Sequence, residues 1–379
     1  MKIALAHKRL DLRGGTERDF YRTAEGLGDL GHEVHLFCAE FDIPPPQGTF
    51  IHRVPVVALG RTARLLSFAI LAPRAILPYR CDVVIGFGRM IRQDVVRSEG
   101  GSHRVFLEKM KRGEGRWRRL WHEVSVYHRS VLAVERRQFR PGNYKKILAI
   151  SEEVRRELTT TYNVPQEKIA VIHSGVDQER FHPGKRNESR ERIRKEWGIP
   201  AAAPVALFVG NGFQRKGLDR LLRAWESPDL AGVYLLVVGE DAGRNRYVAW
   251  AKRVAPERIV FAGRQAAVED YYGAADILVL PAFQEAFGNV ILEALASGLP
   301  VVTSPTVGAA EVLTGDLEQG IVSNPDDKQA LAQKIRQMLD GVRWPVLARA
   351  ARETAERHSW KRYFEELQRQ LSMVAQPGS

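Results

Sequence analysis

The chain has 379 residues, 44% of them hydrophobic, and 57 Lys and Arg against 45 Asp and Glu give a formal net charge of +12. That length exceeds one ordinary core and implies two domains, while the two cysteines, Cys38 and Cys81, exclude a disulfide framework and a cysteine metal set and make a reducing cytoplasm the expected compartment. The N-terminus carries no signal-peptide pattern, and the longest apolar run, Leu65 to Leu77, is interrupted by Pro73 and Arg74, too short to span a bilayer, and expected as a buried helix.

In chain order, Lys2–His7 reads as a strand. Arg13-Gly14-Gly15-Thr16-Glu17-Arg18-Asp19-Phe20 follows it. Gly14 and Gly15 permit a ligand to approach the backbone closely. Thr16 and Asp19 have capping-box spacing, so the residues alone make Asp19 a helix cap. Gly26-Leu27-Gly28-Asp29-Leu30-Gly31 matches the dinucleotide pattern G-x-G-x-x-G only in letters, because it ends a helix and precedes a strand. Further strands are expected at Glu33–Phe37, Asp82–Ile85, Lys146–Ala149 and Ile169–Ile172.

Between them, Gly100-Gly101-Ser102-His103 puts a histidine in a glycine-rich segment. His103 reads either as a packed histidine or as an active-site one. From His103 to Arg140, 11 Lys and Arg face 4 Asp and Glu, an excess of seven. Trp117, Leu120, Trp121, Val124, Tyr127, His128 and Val131 recur there at helical spacing. A basic flank beside such a stripe suits an anionic membrane surface, and the stripe also suits an amphipathic helix facing the core. No helix-turn-helix, zinc or RNA-binding signature accompanies the charge, so nucleic acid is not an expected partner.

The segment Phe181–Pro204 is polar, charged and closed by prolines, and opens the second half. Strands are expected at Val205–Val209, Val233–Val238, Arg258–Phe261, Ile277–Leu280 and Pro300–Val302. In Val209-Gly210-Asn211-Gly212-Phe213-Gln214-Arg215-Lys216-Gly217, two cations meet a glycine turn between strand and helix, where a phosphate can sit. Gly210-x-Gly212, with Glu240 ending the next strand, also fits half of a dinucleotide site, but Arg215 replaces the third glycine. A nucleotide-dependent oxidoreductase is therefore the runner-up. In Pro281–Val302 the two carboxylates, Glu285 and Glu293, flank Gly288-Asn289, where a helix can start and its free N–H groups favour an anion. No Asp-x-Asp occurs, so no metal clamp is expected and fixed cations must supply the electrostatics. Strands alternating with helices through both halves give an α/β chain of two parallel-sheet domains.

Glu285-x7-Glu293, the glycine turn ending Arg215-Lys216-Gly217, and Gly14-Gly15 preceding Arg18-Asp19 resemble the retaining glycosyltransferases of family four, which have the GT-B fold. The resemblance runs over nearly the whole chain, and its specific motifs lie mostly in the second half. It implies two Rossmann-like domains with parallel sheets facing across a cleft. Residues 1–172, with a returning helix over 359–379, would form the acceptor side; residues 173–358 would bind the nucleotide sugar. Carried over, Glu285 contacts the donor sugar and Glu293 the ribose. Arg215 and Lys216 hold the diphosphate. Ala286, Phe287, Gly288, Asn289 and Val290 line the donor, and Arg264, after Gly263, lies near the base. Gly14, Gly15 and Arg180 join the binding residues. Asp19 and His103 stand at the reaction centre. Members that glucosylate lipopolysaccharide core are similar around Asp19 and lack the histidine, which leaves the acceptor open. The expected function is metal-independent, cofactor-free, retaining transfer of a hexose, glucose first, from a UDP-sugar donor to a saccharide or glycolipid acceptor. The protein would be peripheral on the inner face of the plasma membrane. Transfer to a different lipid-linked or soluble acceptor also fits the sequence, as does a catalytically silent, basic membrane-binding protein.

Overall fold

The structure, a computed structural model, describes residues 1–111 and 125–375. The chain forms two compact units, Met1–Ser174 with Tyr363–Ser379, and Gly175–Arg362.

The first unit is built on seven parallel strands: β1 (Lys2–Leu10), β2 (Glu33–Phe41), β3 (Phe50–Arg53), β4 (Val83–Gly86), β5 (Val95–Ser98), β6 (Lys146–Ala149) and β7 (Ile169–Val171). Their order is β3-β2-β1-β4-β5-β6-β7. Ile3, Ala4, Leu5 and Ala6 of β1 are wholly buried, as expected for a central parallel strand covered on both faces. From β1 the chain steps outward to β2 and β3, then returns to β4 on the other side of β1. The loops after β1 and β4 are thus left side by side at a reversal of strand order, where open α/β sheets bind ligands. Two of these strands, β3 and β5, were not expected. β3 is a partly exposed edge with no continuous apolar run, and β5 interrupts its valines with Arg97.

The helix Gly15–Asp29 packs its Phe20, Ala24 and Leu27 into the core. Gly26 has a packing reason: a Cβ there would lie 2.0 Å from the Phe364 ring. The formal G-x-G-x-x-G match therefore belongs to helix packing and a turn, with Gly31 at φ +79°. The helix Gly60–Ile76 replaces the expected buried helix over Leu65–Leu77. It buries only the face bearing Phe68, Ala69, Ala72 and Ile76, and Leu77 is 78% exposed. The last helix, Trp360–Ala375, belongs to the first unit from Tyr363 onward. There Tyr363, Leu367, Leu371 and Val374 form its buried stripe, and the Tyr363 hydroxyl meets the Thr23 hydroxyl at 2.9 Å.

The second unit holds five parallel strands: β8 (Val205–Val209), β9 (Tyr234–Val238), β10 (Ile259–Gly263), β11 (Ile277–Leu280) and β12 (Val301–Thr303). The order β10-β9-β8-β11-β12 reverses between β8 and β11. The glycine turn after β8 and the acidic loop after β11 are neighbours for that reason. Phe181–Pro204 contains a helix, Lys185–Glu196. Its Arg186, Arg190 and Arg194 stand four apart on one face and converge on Asp276, at 2.7, 2.9 and 2.9 Å. Asp276 also accepts the Val205 N–H at 2.8 Å, fixing the start of β8. Burial opposes the Asp276 charge, but the three guanidinium groups outweigh it and hold the carboxyl below its ordinary range. Where the chain enters and leaves this unit, Val176 pairs with Ser359, and the Val176 N–H donates to His358 O at 2.9 Å.

Candidate functional site

In the second unit, three glycines bring backbones together at the ends of β8, β9 and β11. Gly210 lies at φ +145°, and a Cβ there would meet Lys216 Cδ at 2.3 Å. Gly239, at φ +133°, would press a Cβ to 2.2 Å from Gly210 O, and Gly217, at φ +82°, to 2.1 Å from Pro281 O. Only glycine fits all three requirements. The single helical turn Phe213–Lys216 runs between Gly212 and Gly217, both left-handed. It is anchored by the Phe213 N–H donating to Asp241 Oδ2 at 2.9 Å, and by the Phe283 N–H donating to Arg215 O at 2.9 Å.

This geometry delivers Arg215 and Lys216 to one carboxylate. Arg215 Nη1 and Lys216 Nζ each lie 2.7 Å from Glu285 Oε2. Burial pushes the Glu285 carboxyl up, but Lys216 and Arg215 overcome it and lower it below its ordinary range. The loop is held from behind, with the Glu285 N–H donating to Thr306 O and the Gly308 N–H to Glu285 O. Gly288, at φ +97°, starts the helix Asn289–Ala296. Glu293 lies in that helix and accepts the Tyr272 hydroxyl at 2.7 Å. The two glutamates thus have different partners: Glu285 faces the cations and Glu293 a tyrosine. The Phe287 side chain is 2% exposed, so it belongs to the core, and its carbonyl accepts the Ala309 N–H. Asn289 and Val290 are half-buried in the first helical turn, next to half-buried Ala286 in the loop. Arg180 is held by Glu269 at 2.7 and 3.0 Å and lies over the Phe181 ring. Arg264 is exposed and follows Gly263, at φ +70°, at the end of β10.

In the first unit, a cavity of about 690 Å³ opens at the strand reversal, lined by His7, Lys8 and Arg9 at the end of β1 and Asp11, Arg13 and Gly14 after it, by Phe87 to Arg89 after β4, and by Ser98 to Gly101 from the last residue of β5 onward. Asp19 is 3% exposed and accepts the Ser174 hydroxyl at 2.5 Å. It does not cap the helix. Gly14 is the N-cap, no side chain caps it, and Asp19 is the fifth helical residue, so the Thr16–Asp19 capping box is not formed. The space beside Gly14 is filled by Glu17, whose Oε2 would lie 2.2 Å from a Cβ. Gly14 therefore makes room for a carboxylate of its own chain. Gly15 is the first helical residue.

Three residues missed in the sequence stand here. His7 Nε2 lies 3.5 Å from Glu17 Oε1, and this hydrogen bond outweighs burial and lowers the Glu17 carboxyl to about 2. Arg97 is 2% exposed. Burial opposes its charge, while Glu99 and Asp19 favour it and prevail. His7 was hidden at the end of an apolar run, and Arg97 inside an unrecognised strand. His103 is 9% exposed. Its Nε2 lies 2.9 Å from His128 Nδ1, its ring stacks on Phe106, and its N–H donates to Glu135 at 3.1 Å. Of the basic span 103–140, residues 112–124, with Arg116, Trp117, Arg118, Arg119 and Trp121, lie outside the described residues. No described helix is long and apolar enough to cross a membrane.

Residues 13–180 match the family model Glycosyltransferase Family 4, and residues 189–357 match Glycosyl transferases group 1. The chain is similar to the lipopolysaccharide glucosyltransferase WaaG of Escherichia coli (strain K12), 28% identical over 91% of this chain and 92% of that protein. A crystal structure of WaaG, described as involved in lipopolysaccharide biosynthesis, superposes with a TM-score of 0.78 at 26% identity, covering 93% of this chain and 95% of that one. A probable transglycosylase of Burkholderia thailandensis is 30% identical over 93% of this chain and 89% of its own length. Anabaena HepE, crystallised with UDP-glucose, shares the fold with a TM-score of 0.72 at 19% identity, over 98% of this chain and all of that one.

Proposed function

Because the chain belongs to the glycosyltransferases of family 4 and group 1, with the GT-B fold, we propose that it moves glucose with retention from UDP-glucose to a lipopolysaccharide-core type of saccharide at a membrane surface. The observation that carries the reading is the convergence of Arg215 and Lys216 on Glu285 at the strand reversal of the second sheet. Two cations on a glycine turn suit a diphosphate, whose oxygens accept several charge-assisted hydrogen bonds at once. The activities named for WaaG and the ligand of HepE support glucose, the lipopolysaccharide acceptor and the uridine donor.

In this reading Arg215 and Lys216 receive the diphosphate, and Glu285 turns to the sugar hydroxyls. Glu293 takes the ribose, and the backbone from Ala286 to Val290 borders the donor. Arg264 stands at the base, and Arg180 holds the following segment through Glu269 and the Ala266 carbonyl. The acceptor oxygen attacks the anomeric carbon on the face that the leaving group departs from. The carbon–oxygen bond to the β-phosphate breaks, the acceptor proton passes to the leaving phosphate oxygen, and the glycoside and UDP are released. Charge on the leaving UDP is met by Arg215 and Lys216, so no divalent cation is required. Asp19, with Gly14 and Gly15 ahead of it, serves the acceptor side. His103 stands with Asp19 on the acceptor side, its N–H donating to Glu135, and the basic span 103–140 attaches the protein to the anionic inner leaflet. Calorimetric titration with UDP-, GDP- and ADP-glucose, followed by turnover of radiolabelled donor onto core saccharide with and without EDTA, tests the reading. Absence of transfer in every combination, or an inverted anomer by NMR, would sink it.

A further inference from the structure

The cavity of the first unit is positively charged: seven Lys and Arg side chains line it against five Asp and Glu. Its carboxylates are already engaged. Glu135 is held by Arg89 and Tyr162, Glu99 by Arg97, Glu40 by Arg9 and Arg64, and Glu17 by His7. Asp11 accepts the Arg13 N–H. The donors are less fully used. Arg97 gives Nε to Glu99 and Nη1 to Ile172 O at 2.7 Å, yet its Nη2 is buried with no hydrogen-bond partner among the described residues. Arg61 lies 4.6 Å above the Tyr127 ring and has no carboxylate within 4 Å among the described residues. Lys8, 70% exposed, meets Glu17 Oε1 only at 3.9 Å.

A neutral sugar's hydroxyl hydrogens would compete with the cations that already hold these carboxylates. An oxyanion presents only acceptors, and guanidinium and ammonium donors fit it. The location, at the carboxyl ends of β1, β4 and β5 where the strand order reverses, is where this class of sheet binds ligands. We propose that this cavity binds an oxyanion, phosphate or carboxylate, carried by the saccharide acceptor, and that Arg97, Arg61 and Lys8 select it. This rests on the transfer reading above and names the chemical class of its acceptor.

The test titrates the intact protein with glucose 6-phosphate, glucuronate and glucose, each with UDP as a separate control. At least one anionic sugar is expected to bind and glucose to bind at least tenfold more weakly; which anion binds tells phosphate from carboxylate. Lys8→Gln with Arg61→Gln, both at exposed positions, should weaken the anionic sugar at least tenfold and leave UDP affinity unchanged. Arg97→Met should remove the anionic sugar's binding altogether. Equal binding of glucose and both anions, no binding of either anion, or an unaltered affinity in the double variant overturns the proposal. Failure of UDP to bind the unaltered protein would instead strike the donor reading, which these sugar titrations leave aside.

Discussion

Glu285 carries one negative charge between Arg215 and Lys216, and the diphosphate proposed for that spot carries more. The carboxylate is the counter-ion of the two cations in this structure. Removing its charge while keeping its shape leaves both cations free for UDP. Glu285→Gln is therefore expected to bind UDP about tenfold more tightly, a difference of about 1.4 kcal/mol, and to turn over on the order of a hundredfold more slowly, because its contact with the reacting sugar is weakened. Calorimetry with UDP and a steady-state assay give the two numbers; weaker UDP binding would remove the counter-ion account. Asp19 poses the complementary case. It is no cap, so Asp19→Asn is expected to cost little stability and most of the turnover. A variant with normal rates and a lowered Tm would show that its role is structural, through contacts such as its bond to Ser174.

The helices and strands differ in how openly the sequence announces them. Ile277–Leu280 and Val205–Val209 were legible because a central parallel strand is apolar on both faces. The glycine turn and the acidic loop were legible because their residues and spacing resemble those of family four, and because glycines beside paired cations and a helix start with free N–H groups suit an anion. Their meeting followed from the order β8-β11, which periodicity does not contain. The arginine-bearing helix Lys185–Glu196 stayed hidden because its buried face is charged, and a hydrophobic pattern cannot report a face that packs by ion pairs. Asp276 holds that face. Asp276→Asn strands three guanidinium groups, one of them fully buried, and should destabilise the protein by about 3–5 kcal/mol at neutral pH. The folded carboxyl lies below its unfolded value, so its contribution is complete above that value, about 3.9, and is lost as pH falls through the folded one. The gap in denaturation midpoint between the protein and the variant should therefore be flat near neutrality and narrow only below about pH 4. A gap that vanishes nearer pH 7 would point to another group.

Over the whole molecule, charge is uneven: the span His103–Arg140 carries seven of the twelve net positive charges. Vesicle cosedimentation addresses the attachment proposed for it. Each basic residue near an anionic leaflet contributes about 1 kcal/mol, so replacing Arg116, Arg118 and Arg119 by Glu should release the protein from anionic vesicles while UDP affinity stays unchanged. Equal binding to neutral vesicles, or unchanged binding of the triple variant, would reassign the stretch to the core.

The paired segments at Val176 and Ser359 have a consequence of another kind. The chain enters the second unit at Gly175 and leaves it at Arg362, and near these points its two ends are hydrogen-bonded to each other. A unit whose ends meet is a cassette: it can be cut from its host gene, or exchanged for another, without stretching either junction. Residues 175–362 expressed alone should melt cooperatively and bind UDP as the full chain does, and a fragment that stays unfolded would deny it that autonomy. On the proposed division of labour, recombination at two neighbouring points would exchange the donor-binding unit and leave the rest of the chain intact.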